Sequence, residues 1–308
     1  MSAFSPAIRE LLAAPEQSRR LGPYRCTALL DKEGTAPVVR AVEEHAGQGL
    51  REVAIKVFDI GKPKVGDKPG EAKDGWQARV VDEARSLCRV QHPNVIRFHT
   101  LATDPKRGLM GLVMEFAEGI SFDKELASVP KGDARRVALA VDVGAAIAAA
   151  LAAAHEAGVV HCNVKPSNIM VTGGTYKLLN FGIAASLGDQ SEAAESSERG
   201  SLVDLGVDAI GTKASRLEKG GSSLTPIQGT VGYVDPVCLK TTAPPMASSD
   251  LYSLGVTLYE CLAGDVPAVA TPKHAGKAGV DPKVLAGDLP AAPLAEVAPA
   301  EAHELSRL

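Results

Sequence analysis

VVHCNVKPSNIMV, residues 159–171, decides the fold. It starts and ends apolar and is polar between, which predicts a short strand, a loop and a second strand. Upstream, Val137 to Val160 is alanine-rich and broken by Asp142, His155 and Glu156. It predicts a buried helix ending near Gly158, with an apolar run too short to cross a bilayer. Downstream, YKLLNFGIA (176–184) repeats the apolar stretch that ends in glycine.

Further out, EVAIKVFDI (52–60) alternates, with Val53, Ile55 and Val57 on one face and Ala54, Lys56 and Phe58 on the other, as a strand requires. Residues 61–75 read as a connector rich in Lys, Gly, Pro and Asp. WQARVVDEARSLCRVQ (76–91) has helical spacing at Val80, Ala84, Leu87 and Cys88, stopped by His92-Pro93-Asn94. GLVMEFAEG (111–119) is a second apolar strand. Residues 188–228 are rich in Ser, Gly and Glu and read as a long exposed loop. Asp250 is expected to cap the helix LYSLGVTLYECLAG, closed by Gly264.

Composition narrows the function classes. In 308 residues, 45% are hydrophobic, enough to build a core and to exclude a disordered tail or a disulfide-stapled miniprotein. A net charge of −4 without a basic tract argues against nucleic acid as a partner. Cys26, Cys88, Cys162, Cys238 and Cys261 stand in neither metal nor CxxC spacing, so unpaired thiols in the cytoplasm are expected.

The ordered motifs resemble the eukaryotic-type protein-kinase family in its bacterial serine/threonine branch, from about Tyr24 to Gly264. Val53-Ala54-Ile55-Lys56 resembles the V-A-I-K strand, and Glu83 sits where a helix glutamate pairs with that lysine. Leu112 to Gly119 resembles the hinge, with Met114 as gatekeeper and Glu115 to Ala117 offering backbone groups to an adenine. HCNVKPSN resembles the catalytic loop, NFG the D-F-G metal motif, and GTVGYVDPV the end of the activation segment. The resemblance implies an α+β, bilobal protein-kinase-like fold. Its N-lobe (about 21–115) would be mainly antiparallel sheet plus one helix, and its C-lobe (about 118–308) mainly helical and truncated. Residues 1–20 would be an N-terminal extension, and 183–228 an activation-segment loop. The 44 residues after Gly264 fall short of the several helices the family adds there.

The departures carry the functional expectation, because phosphoryl transfer needs phosphates held, metal bound and the acceptor hydroxyl oriented. Asp31, Glu33 and Ala36 fall at the three glycine positions of the phosphate loop, around Gly34, and place side chains and two acids where backbone should meet phosphate. Asn163 replaces the general-base aspartate and cannot take up a proton. Asn180 replaces the metal aspartate, leaving Asn168 and Asn180 as weak metal candidates. Lys165 and Asn168 are retained, His161 is expected to pack beside the NFG turn, and Val237 replaces the glutamate of A-P-E. Lys56, Glu83, Glu115 and Ala117 remain nucleotide-binding candidates, Lys56 serving either phosphates or an ion pair with Glu83.

The expected protein is a pseudokinase, a binding scaffold or nucleotide-sensing regulatory module; the alternative is a weak or atypical ATP-dependent serine/threonine protein kinase. No cofactor is required, and ATP binding would be weakly Mg²⁺-dependent or Mg²⁺-independent. Protein partners are implied, with no nucleic acid and no membrane span in this chain. Ser191, Ser196, Ser197 and Ser201 offer hydroxyls to an active kinase acting in trans.

Overall fold

The computed structural model describes residues 4–31, 36–61, 84, 88–181, 232–241, 245–267, 298 and 302. Outside these lie Glu33, Gly34, Glu83, nearly all of the connector and the helix expected at 76–91, the loop 183–228 with its serines, and most of the chain beyond 267. The described residues fall into two compact units. The first lies within Met1–Glu118 and Glu156–Val159, the second within Gly119–His155, Val160–Gly182 and Ser201–Leu308.

The first unit is built on a six-stranded antiparallel sheet. Its strands are β1 (Arg20–Leu21), β2 (Tyr24–Asp31), β3 (Val38–His45), β4 (Gln48–Asp59), β5 (Phe98–Asp104) and β6 (Leu109–Glu115), in the order β1-β2-β3-β4-β6-β5. The alternation read in β4 is real: Val53, Ile55 and Val57 are fully buried. Its other face is mostly covered too, with Ala54 and Phe58 both buried. Lys56 stands on that second face, opposite Leu112 of β6, with its Nζ 6.0 Å from the Phe58 ring centre.

From Phe4 onward, the segment expected as an N-terminal extension packs on this unit. Helix α1 (Pro6–Ala13) starts at Ser5, whose Oγ accepts the Ile8 N–H at 3.3 Å, and Pro6 occupies the first turn without wasting a donor. Ile8 and Leu11, with Phe4, join Leu21, Val39, Ile55 and Val113 in one apolar core. Gly111 is the tight point of that core. A Cβ there would stand 2.3 Å from Leu21 Cδ2 and 2.6 Å from Ile55 Cγ2, inside any real contact.

The second unit carries β7 (Ile120–Ser121), β8 (Ile169–Thr172) and β9 (Thr175–Leu178), in that order in a small sheet. Its helices are α2 (Phe122–Ala127), α3 (Arg135–Glu156), α4 (Pro236–Thr241) and α5 (Ala247–Ala263). Gly173 and Gly174 make the β8–β9 turn with φ of 55° and 76°, the sign pattern of a tight two-residue hairpin. Residues 159–160 do not form the strand expected before His161.

Helix α3 has 22 residues and a mean hydropathy of 2.2 in its most apolar window, so by length and composition it is long and apolar enough to cross a membrane. That corrects the expectation that its charged residues leave too short a run. In this fold Val143, Ile147, Ala150, Leu151 and Ala154 bury one stripe of it, spaced as a helix packed on one side demands. At its start Arg136, 4% exposed, donates to the carbonyls of Leu126, Val129, Pro130 and Cys261 at 2.7 to 3.1 Å. The buried guanidinium is thereby compensated by the carbonyl-rich ends of α2 and α5, the negative poles of those helices.

Asp250 lies inside α5 rather than capping it. The helix starts three residues earlier, where Ser249 Oγ accepts the Met246 N–H at 3.3 Å, and this frees the Asp250 carboxylate to point elsewhere. Gly264 closes the helix in the left-handed conformation, φ 84°, as the sequence suggests.

Candidate functional site

The loop 161–168 is held from below by one carboxylate. Asp250 has no exposed surface and accepts the backbone N–H groups of His161 and Cys162 and the His155 ring Nε2, each at 2.8 Å. These three donors satisfy a buried charge that would otherwise be very costly. They also hold Cys162 at φ 65°, a left-handed conformation that a non-glycine residue adopts only when its surroundings impose it.

His161 is equally buried and its tautomer is fixed by its neighbours. Nε2 lies 2.7 Å from the Leu179 carbonyl oxygen, which only accepts, so the ring proton sits there. Nδ1 accepts the Asn163 N–H at 3.2 Å. Both nitrogens are committed, so protonation would set one N–H against another. Burial pushes the His161 pKa down, against an opposing pull from the Asp250 carboxylate. The ring also packs edge-on to Phe181, centroids 4.5 Å apart, so it is a structural pin beside the NFG turn.

Beside this pin the side-chain amides of Asn168 and Asn180 meet, joined to the backbone of Asn163. Lys165 leads into a 3₁₀ turn, Pro166–Asn168, closed by Asn168 N–H to Lys165 O at 2.9 Å. The Asn168 carbonyl oxygen accepts the Leu179 N–H at 2.8 Å, which ties the loop to the exit of β9. Asn168 Nδ2 donates to the Asn163 carbonyl at 2.7 Å, and Asn180 Nδ2 donates to Asn168 Oδ1 at 3.0 Å. Asn180 sits at φ 57°, a region asparagine tolerates better than most residues.

Mg²⁺ does not fit this arrangement. It demands close oxygen ligands, usually including a carboxylate, whereas here the Asn168 side-chain oxygen is occupied by an N–H and the other ligand position is a neutral amide. Among the described residues no group of three or more His, Cys, Asp or Glu side chains is placed to hold a metal.

In the first unit Met114 is buried, and the Glu115 N–H donates to Arg97 O at 2.9 Å at the end of β6. Ala117 follows outside any strand. Asp31, the first degenerate phosphate-loop position, ends β2 opposite Val38 and is exposed; Ala36 is half-buried. Val237, at the A-P-E glutamate position, is 56% exposed on α4. His155, which reaches the loop through Asp250, was not legible as a site-supporting residue. His155 entered the sequence reading only as a break in an apolar run, although a histidine closing a helix just before a loop is a signal that could have marked it.

The protein kinase domain family matches residues 33–286, and the chain belongs to that family. A probable serine/threonine-protein kinase of Streptomyces coelicolor is 30% identical over 270 residues, covering 84% of this chain and 34% of that protein. The serine/threonine-protein kinase PknA of Mycobacterium tuberculosis is 30% identical over 251 residues, 80% of this chain and 48% of that protein. The chain thus spans roughly a third to a half of these relatives' length. The crystal structure of the PknI kinase domain of M. tuberculosis matches with a TM-score of 0.55 at 19% identity, covering 92% of this chain and 84% of that one. The fold is therefore kinase-like, with an antiparallel-sheet N-lobe and a helical C-lobe.

Proposed function

We propose that this chain is a pseudokinase, a protein-kinase fold that works by binding rather than by phosphate transfer. The observation that carries it is the chemistry of the loop. Positions 163, 168 and 180 are all amides, and the carboxylate that reaches the loop, Asp250, is buried and committed to three donors. Among the described residues, the loop 161–168 and Asn180 present no carboxylate to take a proton from an acceptor hydroxyl or neutralise a phosphate-bound cation. Loss of a positioned base alone removes roughly 10² to 10⁴ in rate. The acids at 31 and 33 add repulsion toward phosphate.

On this reading Glu115 and Ala117 keep the backbone groups for an adenine, and Lys56 the cation for its phosphates. The module then senses nucleotide or serves as a scaffold for a protein partner in the cytoplasm. Transfer of labelled phosphate from ATP, with Mg²⁺ or Mn²⁺ and beside a Lys56→Ala control, tests it. The expected signal equals that of the control. Transfer well above it, abolished by Lys56→Ala, establishes instead a weak or atypical serine/threonine kinase.

A further inference from the structure

The hydrogen bond between Asn180 and Asn168 has a direction that its neighbours dictate. Asn163 O is a carbonyl and can only accept, so the Asn168 side chain must turn its nitrogen toward it, at 2.7 Å. Its oxygen then faces Asn180, and Asn180 must answer with its Nδ2, at 3.0 Å. Asn168 is 4% exposed, so water is a poor substitute for that donor.

Two oxygens brought together at such a point repel unless a cation or a proton lies between them. Asparagine at 180 removes the problem internally, because it presents N–H where aspartate would present a second acceptor. Its tolerance of φ 57° lets it do so from the turn that leaves β9. We propose that the Asn180 side-chain amide stands in for a divalent cation, clasping Asn168 and holding the loop 161–168 to the NFG turn with no metal. Any nucleotide the chain takes up is then bound in a metal-independent manner, and chelators leave the loop intact. This deepens the pseudokinase reading and rests on it for its functional meaning. Its test reads metal binding rather than phosphate transfer.

The experiment uses the full chain and Mn²⁺ as probe, with the free-ion signal followed by electron paramagnetic resonance and the melting temperature followed in parallel. Wild type should leave the Mn²⁺ signal undiminished and melt at the same temperature in EDTA and in millimolar Mn²⁺. Asn180→Asp should melt lower in EDTA, by roughly 3–8 °C, because acceptor now faces acceptor. Mn²⁺ should restore it while its free-ion signal falls. Asn180→Ala, which loses the clasp without gaining a charge, should remain insensitive to Mn²⁺. Saturable Mn²⁺ binding by wild type overturns the proposal. So does an Asn180→Asp variant that matches wild type in EDTA and ignores Mn²⁺. Should Asn180→Asp not fold, the wild-type titration decides alone. Phosphate transfer by a wild type that binds no Mn²⁺ would overturn the function and leave the clasp standing.

Discussion

Asp250 is the residue on which the loop depends. Its carboxylate satisfies three donors and has no access to water, so Asp250→Asn turns one acceptor oxygen into an NH₂ group facing other N–H groups. The expected loss is about 2–4 kcal/mol, measured by urea denaturation, whereas an exposed change such as Glu118→Gln should cost under about 0.5 kcal/mol. Cys162→Gly should be neutral or stabilising, since glycine adopts φ 65° without strain. His161 makes this region pH-sensitive. Its folded pKa lies below the unfolded value near 6.5, so in the window below that value the unfolded chain binds more protons. Stability from His161 is therefore complete above about pH 6.5 and is lost as pH falls toward the folded pKa. Melting curves of wild type and His161→Gln between pH 7.5 and 5 should converge on acidification, these limits set roughly around the histidine range. Parallel curves would show that His161 contributes nothing to the acid response.

At the level of elements, the strands were the most legible part of the chain. A period of two in 52–60 survives any context, because one face of β4 must meet the core and Val53, Ile55 and Val57 are all fully buried there. Gly264 marked a helix end for an equally local reason, its φ of 84°. The misreadings have one cause in common. Residues 159–160 do not pair as a strand, and Asp250 does not cap a helix, because the backbone of His161 is bound by a carboxylate 89 positions away. No local pattern contains that partner. The same holds for α1, whose packing on the sheet was invisible in a segment read as an extension. Gly111 gives the sharpest packing test. Gly111→Ala forces a methyl into Leu21 and Ile55 and should cost about 1–3 kcal/mol by chemical denaturation. Gly255→Ala on α5, where a Cβ meets nothing within 4 Å, should stabilise by about 0.5–1 kcal/mol, the helix-propensity difference.

For the whole molecule, family and fold were readable from the ordered motifs, and the family match over residues 33–286 spans all of them. The departures were readable one by one as amides in place of carboxylates. Their joint geometry was not, since sequence gives residue types and no directions. The structure adds that the Asn180 side-chain amide binds that of Asn168, which in turn binds the backbone carbonyl of Asn163, so the Asn168 amide is engaged on both sides. A nucleotide-sensing module should still gain stability from ATP by mass action, and the gain should be equal in Mg²⁺ and in EDTA. A thermal shift that needs Mg²⁺ would contradict the metal-independent mode, and no shift at millimolar ATP would leave scaffolding alone. The central claim is the absence of catalysis. Its most direct measurement is intact-mass spectrometry of the purified chain after prolonged incubation with ATP and Mn²⁺, beside Lys56→Ala. The expected result is that neither protein gains a phosphate adduct; a phosphorylated species present in wild type and missing from Lys56→Ala would contradict it.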